Sequence, residues 1–162
     1  MKIHHVFLQS LKLPSKKATF SLNRVSMDIT IIYMFILLIL VSIPALIDRI
    51  AENNSVSAEL NILFLIIYFF IFYYLPLAVF VCIGISITAY LGVWVAKGLD
   101  RKLQFPLLWK MSVFIATIPF IIYAIIAFLF PVDDVLLGAF FVYIIFMLFI
   151  IIRIYPKRRK QN

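Results

Sequence analysis

Few side chains in this sequence are of a type that does chemistry, and the most suggestive pair is Cys82 with Ser86. The two stand four residues apart, so a helix would place both nucleophilic groups on one face, one turn from each other. Such a nucleophile needs a neighbouring base, and the surrounding run of residues 60–96 holds no charged residue and no histidine. The sequence therefore predicts no catalytic residue and no enzymatic activity.

Residues of metal-binding type occur as two adjacent pairs. His4 and His5 follow each other directly, so a helix would point them to different sides rather than towards one ion. Asp133 and Asp134 lie between the last two apolar runs, where a cation site is one interpretation and a charged pair that marks a loop is the simpler one. With no glycine-rich phosphate loop and no HExxH motif, we expect neither a metal nor another cofactor.

The composition indicates that these residues sit on the elements of a membrane protein. Hydrophobic residues make up 65% of the 162 residues and charged residues only 14%, against about a half and about a quarter in soluble domains. As one helix, the uncharged run of residues 60–96 would be about 55 Å long, whereas the hydrocarbon core of a bilayer is about 30 Å thick. The net charge of +8 comes from basic clusters beside apolar runs, so membrane orientation explains it better than nucleic-acid binding.

The predicted fold class is all-α and integral to a membrane, with three parts in chain order. Residues 1–27 form a cytoplasmic N-terminal segment that is amphipathic and basic, residues 28–152 the membrane domain, and residues 153–162 a basic cytoplasmic tail. In the membrane domain we expect four transmembrane helices, which cover residues 29–47, 75–96, 111–130 and 135–152 to within a few positions.

The distribution of Lys and Arg indicates how often residues 60–96 cross the bilayer. If this run crosses once, fourteen of the fifteen basic residues lie on the cytoplasmic side; if it turns back at residues 73–76, ten lie outside. Because cytoplasmic loops carry the excess of positive charge, one crossing is favoured, with both termini cytoplasmic at the plasma membrane and five spans as the alternative. Residues 60–74 then form an apolar, aromatic outer extension, which is interfacial, re-entrant or a fifth span.

The N-terminal segment has helical periodicity. Ile3, Val6, Phe7 and Leu11 follow the spacing of one helix face, and Pro14 ends the pattern. Basic residues elsewhere in the segment favour anionic lipid headgroups, so we expect an amphipathic helix on the cytoplasmic membrane surface. A solvated basic tail is the alternative.

A stripe of small residues in the second span is the most specific packing signal. The small side chains recur every fourth position, which places them on one face that another helix can approach closely. The third span offers a matching narrow face, so we expect the two to pack within the molecule, with a homodimer seam as the alternative. The predicted helix-packing residues are Gly84, Thr88, Gly92, Ala96, Ser112 and Ala116.

Pro119 lies near the middle of the third span. A proline has no N–H for the preceding turn, so it should bend this helix and free a carbonyl group. Thr117 is close enough in sequence to help satisfy that carbonyl.

The loop before the third span combines basic and aromatic side chains. This composition suits the lipid headgroup region or a cytoplasmic partner, and an ordinary inside anchor is the simpler alternative. The predicted contact residues on this inner surface are Lys97, Arg101, Lys102, Phe105, Trp109 and Lys110.

A set of short motifs lies before the first span and around the third. It comprises Phe7, Ser10, Pro14, Lys16, Ala18 and Phe20, then Ala96-Lys97, Arg101-Lys102-Leu103, Leu108-Trp109-Lys110-Met111-Ser112 and Pro119. With these motifs the chain resembles a Gram-positive bacterial family of uncharacterised integral membrane proteins, some labelled maltodextrin utilisation proteins, which is similar in architecture to Yip-type multi-span proteins. The resemblance implies a multi-pass protein and supplies no catalytic residues. Members of that family are usually longer after the first span than the twelve residues from Asp48 to Glu59 here.

The sequence favours a non-enzymatic accessory or scaffold protein of a bacterial plasma membrane, which acts through its helix faces and its basic cytoplasmic surface. Its expected partners are anionic lipid headgroups and either another membrane protein or a second copy of the chain. The alternative is a small transporter component or permease, with sugars as candidate substrates, because rings such as Tyr68, Tyr73 and Tyr90 can line sugar paths. The predicted spans contain no ionisable acid, base or histidine, which counts against proton-coupled transport.

Overall fold

Helices make up almost all of the described chain. The computed structural model describes residues 3–56, 62–130 and 134–156, with side chains throughout these ranges except at 52–56 and 134–137. No strand is assigned within these ranges, which confirms the all-helical fold class. In chain order the elements are α1 (Ile3–Ser10), α2 (Lys16–Asn23), α3 (Met27–Val56), α4 (Ile62–Phe69), a π-helical turn (Phe70–Tyr74), α5 (Leu75–Gly98), α6 (Phe105–Ile115), α7 (Thr117–Leu129) and α8 (Asp134–Ile154).

The N-terminal segment folds into two helices that pack into the core. Beyond Pro14, the Oγ of Ser15 accepts a hydrogen bond from the backbone N–H of Ala18 and caps the start of α2. Val6 on α1 and Leu22 on α2 are both 0% exposed, and both helices contact α6. A solvated tail does not fit this burial, and the segment is a packed part of the bundle rather than a helix lying only on a lipid surface.

The first long helix, α3, runs past residue 47, at which the first span was predicted to end. Asp48 and Arg49 follow its apolar part, and the helix continues without a break to Val56. Pro44 lies inside α3. Because polar and charged residues favour helix as much as loop when a helix already precedes them, the boundary was set too early at residue 47.

Residues 62–98 form one continuous helix, the long helix, with the π-helical turn inside it. In this turn the backbone N–H of Leu75 donates to the carbonyl of Phe70, five residues earlier. Pro76 follows immediately and cannot donate to the carbonyl four residues before it, so a widened turn accommodates the proline without ending the helix. The chain does not reverse at residues 73–76, and the hairpin needed by the five-span alternative does not form.

The third apolar stretch is interrupted where Pro119 predicts it. Helix α6 ends at Ile115 and α7 begins at Thr117, with Ala116 between them. The Thr117 hydroxyl, however, lies 2.8 Å from the hydroxyl of Tyr33 on α3 rather than on a carbonyl freed by the proline. The interruption was therefore predicted correctly and the partner of Thr117 was not.

The N-terminal helix α2 and the residue that follows α8 meet at one end of the bundle, which we call the terminal end. The ring of Phe20 on α2 lies edge-on to that of Tyr155, just after α8, with centroids 5.4 Å apart. Between the two ends α3 packs against α7, and α5 packs against α6 and α8. The opposite end, at which α3 ends, is called the loop end below.

Three helical stretches of the described chain are long and apolar enough to cross a membrane. They are Met27–Ala51, Ile62–Gly98 and Phe105–Leu129. A shorter apolar stretch, Gly138–Ile154, belongs to α8. The third stretch begins six residues earlier than predicted, because Pro106 occupies the first turn of α6, where a proline favours helix initiation.

Candidate functional site

The long helix is the least covered of the three stretches that are long enough to cross a membrane. Of its most apolar 18-residue stretch only 11% is buried, against 44% for the stretches in α3 and in α6 with α7. Phe80 is 73% exposed and Trp94 is 64% exposed. In a bilayer such a face contacts either lipid or the helix of a partner, because neither water nor this chain covers it.

Three of the four residues of the small stripe are buried, and Gly92 among them lies in a tight helix contact. Thr88, Gly92 and Ala96 are buried on α5. A Cβ at Gly92 would lie 2.8 Å from Cδ2 of Leu148 on α8 and 3.5 Å from Cδ1 of Leu108 on α6. The absence of a side chain at Gly92 therefore lets two helices approach α5, whereas the sequence suggested the third span as the partner.

The narrow face on the third stretch is fully buried. Ser112 and Ala116 are both 0% exposed. The Ser112 hydroxyl donates to the carbonyl of Leu108, 3.0 Å away within α6, so its polar group is satisfied by its own helix. Both residues thus lie in helix contacts within the chain.

Gly84 stands apart from the rest of the stripe. No heavy atom would lie within 4 Å of a Cβ added there. It borders a cavity of about 240 Å³ between α3, α5, α7 and α8, towards the loop end. Representative lining residues are Leu38, Tyr73, Gly84, Ala116, Tyr123 and Phe141.

The loop from α5 to α6 exposes half of the predicted inner-surface residues. Lys97, Lys102 and Phe105 are exposed at the terminal end. The backbone N–H of Arg101 donates to the carbonyl of Ala96, 2.8 Å away, and Asp100 adopts a left-handed φ of 53°, which closes the turn. The Nε of Arg101 is buried and has no hydrogen-bond partner among the described residues.

Trp109 and Lys110, also predicted for the inner surface, face into the bundle. The indole N–H of Trp109 donates to the hydroxyl of Ser86 on α5, at 3.2 Å. The Lys110 ammonium donates to the carbonyls of Asn23 and Val25, at 2.9 and 2.8 Å. These two side chains attach α6 to α5 and to the N-terminal segment.

Two hydroxyl contacts between helices, one buried and one exposed, were not anticipated from the sequence. Tyr33 and Thr117 pair through their hydroxyls, and the Tyr74 hydroxyl donates to the carbonyl of Phe35 on α3, at 3.1 Å. The signal was present, since a hydroxyl within an apolar helix needs a partner, but sequence spacing does not say which one.

The pair that was considered for nucleophilic chemistry is used for packing. The Ser86 hydroxyl donates to the carbonyl of Cys82, 2.7 Å away, and accepts from Trp109. The Cys82 sulfur lies 4.0 Å from the sulfur of Met34. With its donor and an acceptor position engaged in this way, Ser86 is placed as a link between helices.

Residues of metal-binding type are not brought together in the described ranges. His4 and His5 are exposed on α1, and no group of three or more His, Cys, Asp or Glu in these ranges is arranged to hold a metal ion. Asp133 lies outside the described residues, as does the side chain of Asp134. The last six residues of the basic tail, residues 157–162, also lie outside them.

The fold and these surfaces define an all-helical protein whose apolar helices are compatible with a membrane. Residues 48–152, more than half of the chain, match a family described as "Protein of unknown function (DUF1189)", and the chain belongs to this family. No curated protein and no solved structure matches the chain. The match agrees with the expected membership of an uncharacterised family.

Proposed function

We propose that this protein is a non-enzymatic accessory or scaffold subunit of a bacterial plasma membrane, which binds a membrane partner along the exposed face of the long helix. The observation that carries the proposal is the low coverage of that helix, 11% of its most apolar stretch. Lipid provides no hydrophobic drive between helices, so a partner is held by close packing and polar contacts on such a face. The partner is another membrane protein or a second copy of this chain.

The basic surface at the terminal end supports the same role. Lys97 and Lys102 are exposed beside Phe105, which is 40% exposed. Cations next to an aromatic ring suit the headgroup region of a leaflet with anionic lipids. The edge contact between Phe20 and Tyr155 supports an even number of crossings, with both termini on the cytoplasmic side.

A transporter component is the second candidate, with sugars as candidate substrates because aromatic rings can line sugar paths. The cavity beside Tyr73 and Tyr123 favours it, because it lies between helices of the bundle. A path for a solute would also have to pass through the half of the bundle nearer the terminal end. In that half Leu108, Met111 and Phe114 are 0% exposed. This filled half favours the accessory role over a permease.

Photo-crosslinking from the long helix tests the proposal. The crosslinker p-benzoylphenylalanine replaces Trp94 or Phe80 in native membranes, and the matched control places it at Ile122, which is 42% exposed on α7. We expect one adduct of discrete mass from the long helix and only lipid adducts from α7. Lipid adducts alone from all three positions, or solute flux through liposomes that contain only this protein, would overturn the accessory role.

A further inference from the structure

The cavity near the loop end has the dimensions of a site for one lipid chain. Its volume is about 240 Å³ and its lining is apolar apart from a few hydroxyl groups such as those of Tyr73, Tyr123 and Thr88. Phe141 on its edge is 39% exposed, so the cavity opens towards the surface of the bundle. Apolar cavities of this kind are dry and take up apolar ligands, and in a bilayer the surrounding hydrocarbon is lipid.

The depth of the cavity matches one leaflet. Leu38 and Ala116, both 0% exposed, line its buried part, and Arg49 lies eleven residues beyond Leu38 on α3, or about 16 Å along the helix axis. One leaflet contributes about half of the 30 Å hydrocarbon core. A lipid whose phosphate lies at the level of Arg49 therefore has a chain of the right length to reach the buried part of the cavity.

Arg49 supplies the charge for such a phosphate. It is the only Lys or Arg in the sequence of α3, its side chain is exposed, and its charge acts on the hydroxyl of Tyr73, which also interacts with that of Tyr123. Two carboxylates neighbour it in the sequence of α3: Asp48 projects roughly a quarter turn away around the helix, and Glu52 stands one turn further along. The planar guanidinium of arginine binds phosphate oxygens bidentately, and a phenol hydroxyl can donate a further hydrogen bond.

We infer that this cavity binds one anionic phospholipid of the leaflet at the loop end, with an acyl chain beside Gly84 and the phosphate at Arg49 and Tyr73. The inference rests on the bundle spanning a bilayer and not on the accessory role, so a lipid site would stand even if no protein partner were found. It also accounts for Gly84, where an added Cβ would meet no heavy atom within 4 Å.

Counting bound lipid by native mass spectrometry tests the acyl-chain part. The full chain is purified in mild detergent, incubated with phosphatidylglycerol, and compared with Gly84→Leu, whose side chain would fill the cavity. The control is Gly98→Leu, because a side chain there also meets no heavy atom within 4 Å but lies outside the cavity. We expect Gly84→Leu to retain about fivefold less phosphatidylglycerol, corresponding to about 1 kcal/mol of affinity, while Gly98→Leu matches the parent chain. Equal retention by Gly84→Leu and the parent would overturn the inference.

The same measurement with Arg49→Gln and Arg49→Lys tests the phosphate part. Phosphatidylglycerol and phosphatidylcholine compete for the parent chain, and we expect the preference for the anionic lipid to fall about fivefold in Arg49→Gln and to persist in Arg49→Lys. An unchanged preference in Arg49→Gln would remove Arg49 from the site.

If Gly84→Leu does not fold, the acyl-chain site is tested on the parent chain with a phosphatidylglycerol that carries a photoreactive mid-chain group. It should label Phe141 or Tyr123 above Phe80, and equal labelling would mean that lipid covers the bundle without a site.

Discussion

The Lys110 ammonium lies 2.9 Å from the carbonyl oxygen of Asn23, the last residue of α2. A second bond, of 2.8 Å, joins it to the carbonyl of Val25. These carbonyls end a helix, where the backbone dipole favours a cation, so the lysine caps α2 from another helix. The N-terminal segment is thereby held on α6, 87 residues further along the chain.

Replacing Lys110 with methionine should loosen this attachment. Lys110→Met keeps the aliphatic stem and removes the donor, which leaves two backbone carbonyls without their charged partner and should lower the free energy of unfolding by about 1–3 kcal/mol. Thermal unfolding in detergent measures the change, and limited proteolysis should release the N-terminal segment sooner. Lys102→Met, at an exposed position, is the matched control and should change stability by less than about 0.5 kcal/mol. Similar losses in both variants would contradict the role of Lys110.

Gly92 should tolerate a side chain less well than any other glycine with a described environment. A Cβ at Gly92 would lie 2.8 Å from the buried Leu148, so Gly92→Leu forces α8 away and should destabilise the fold by about 1–3 kcal/mol or more. Gly92→Ala should cost less, because only the end of the Leu148 side chain has to move.

The double variant Gly92→Ala/Leu148→Ala separates this steric effect from other causes. Truncating Leu148 alone opens a cavity and is destabilising. If the contact is the cause, the loss in the double variant should be smaller than the sum of the two single losses, measured as a double-mutant cycle in unfolding free energy. Strict additivity would count against the close approach of α5 and α8.

The hydroxyl pair of Tyr33 and Thr117 should behave as a unit. Tyr33→Phe removes this partner from the buried Thr117 hydroxyl, and Thr117→Val removes it from the Tyr33 hydroxyl. Each change should cost about 1–2 kcal/mol. The double variant removes both polar groups and should recover part of that loss. Tyr68→Phe, at a residue that is 52% exposed, serves as the control for the loss of a tyrosine hydroxyl and should be close to neutral.

Stability at alkaline pH should depend on Tyr155. Burial without a hydrogen-bond partner among the described residues raises the pKa of its hydroxyl from 10.0 to about 12. The folded state thus favours the neutral hydroxyl. The contribution of this preference to the free energy of unfolding is intact below pH 10. It is lost as the pH rises from 10 to 12, by about 1–2 kcal/mol after allowance for solvent screening, because the unfolded chain ionises first.

Comparison with Tyr155→Phe isolates this titration from that of the lysines. At neutral pH the variant should be as stable as the parent or more stable by about 1 kcal/mol, since it removes an unsatisfied buried hydroxyl. Between pH 9 and 11.5 the parent should lose unfolding free energy relative to the variant. Parallel curves over this range would show that the Tyr155 hydroxyl is not held neutral by the fold.

Much of the fold could be predicted from the sequence because the helices depend on the composition of local segments. The apolar runs predicted the long helices, and Pro119 predicted the interruption beside Ala116. The N-terminal pattern predicted α1, but α2 was missed, although Ser15 as a cap followed by Ala18 and Leu22 at helical spacing was a usable signal.

The partners of individual side chains could not be predicted in this way. Lys110 and Trp109 stand in a basic, aromatic loop sequence, which on composition alone reads as a surface. Their bonds to Asn23 and Ser86 depend on how helices far apart in sequence are arranged, and helical periodicity carries no information on that arrangement. The cavity beside Gly84 was equally hidden, because a glycine in a packing stripe predicts contact and not open space.

The long helix is longer than the hydrocarbon core of a bilayer is thick. Residues 62–98 are apolar and continuous over about 55 Å, which exceeds the hydrocarbon thickness by about 25 Å. Such hydrophobic mismatch is relieved by a steep tilt or by local thickening of the membrane, and the π-helical turn ahead of Pro76 gives the two parts of the helix a place to differ in tilt. The protein would therefore partition towards thicker membrane regions, and the membrane would be deformed on the side where the long helix stands uncovered.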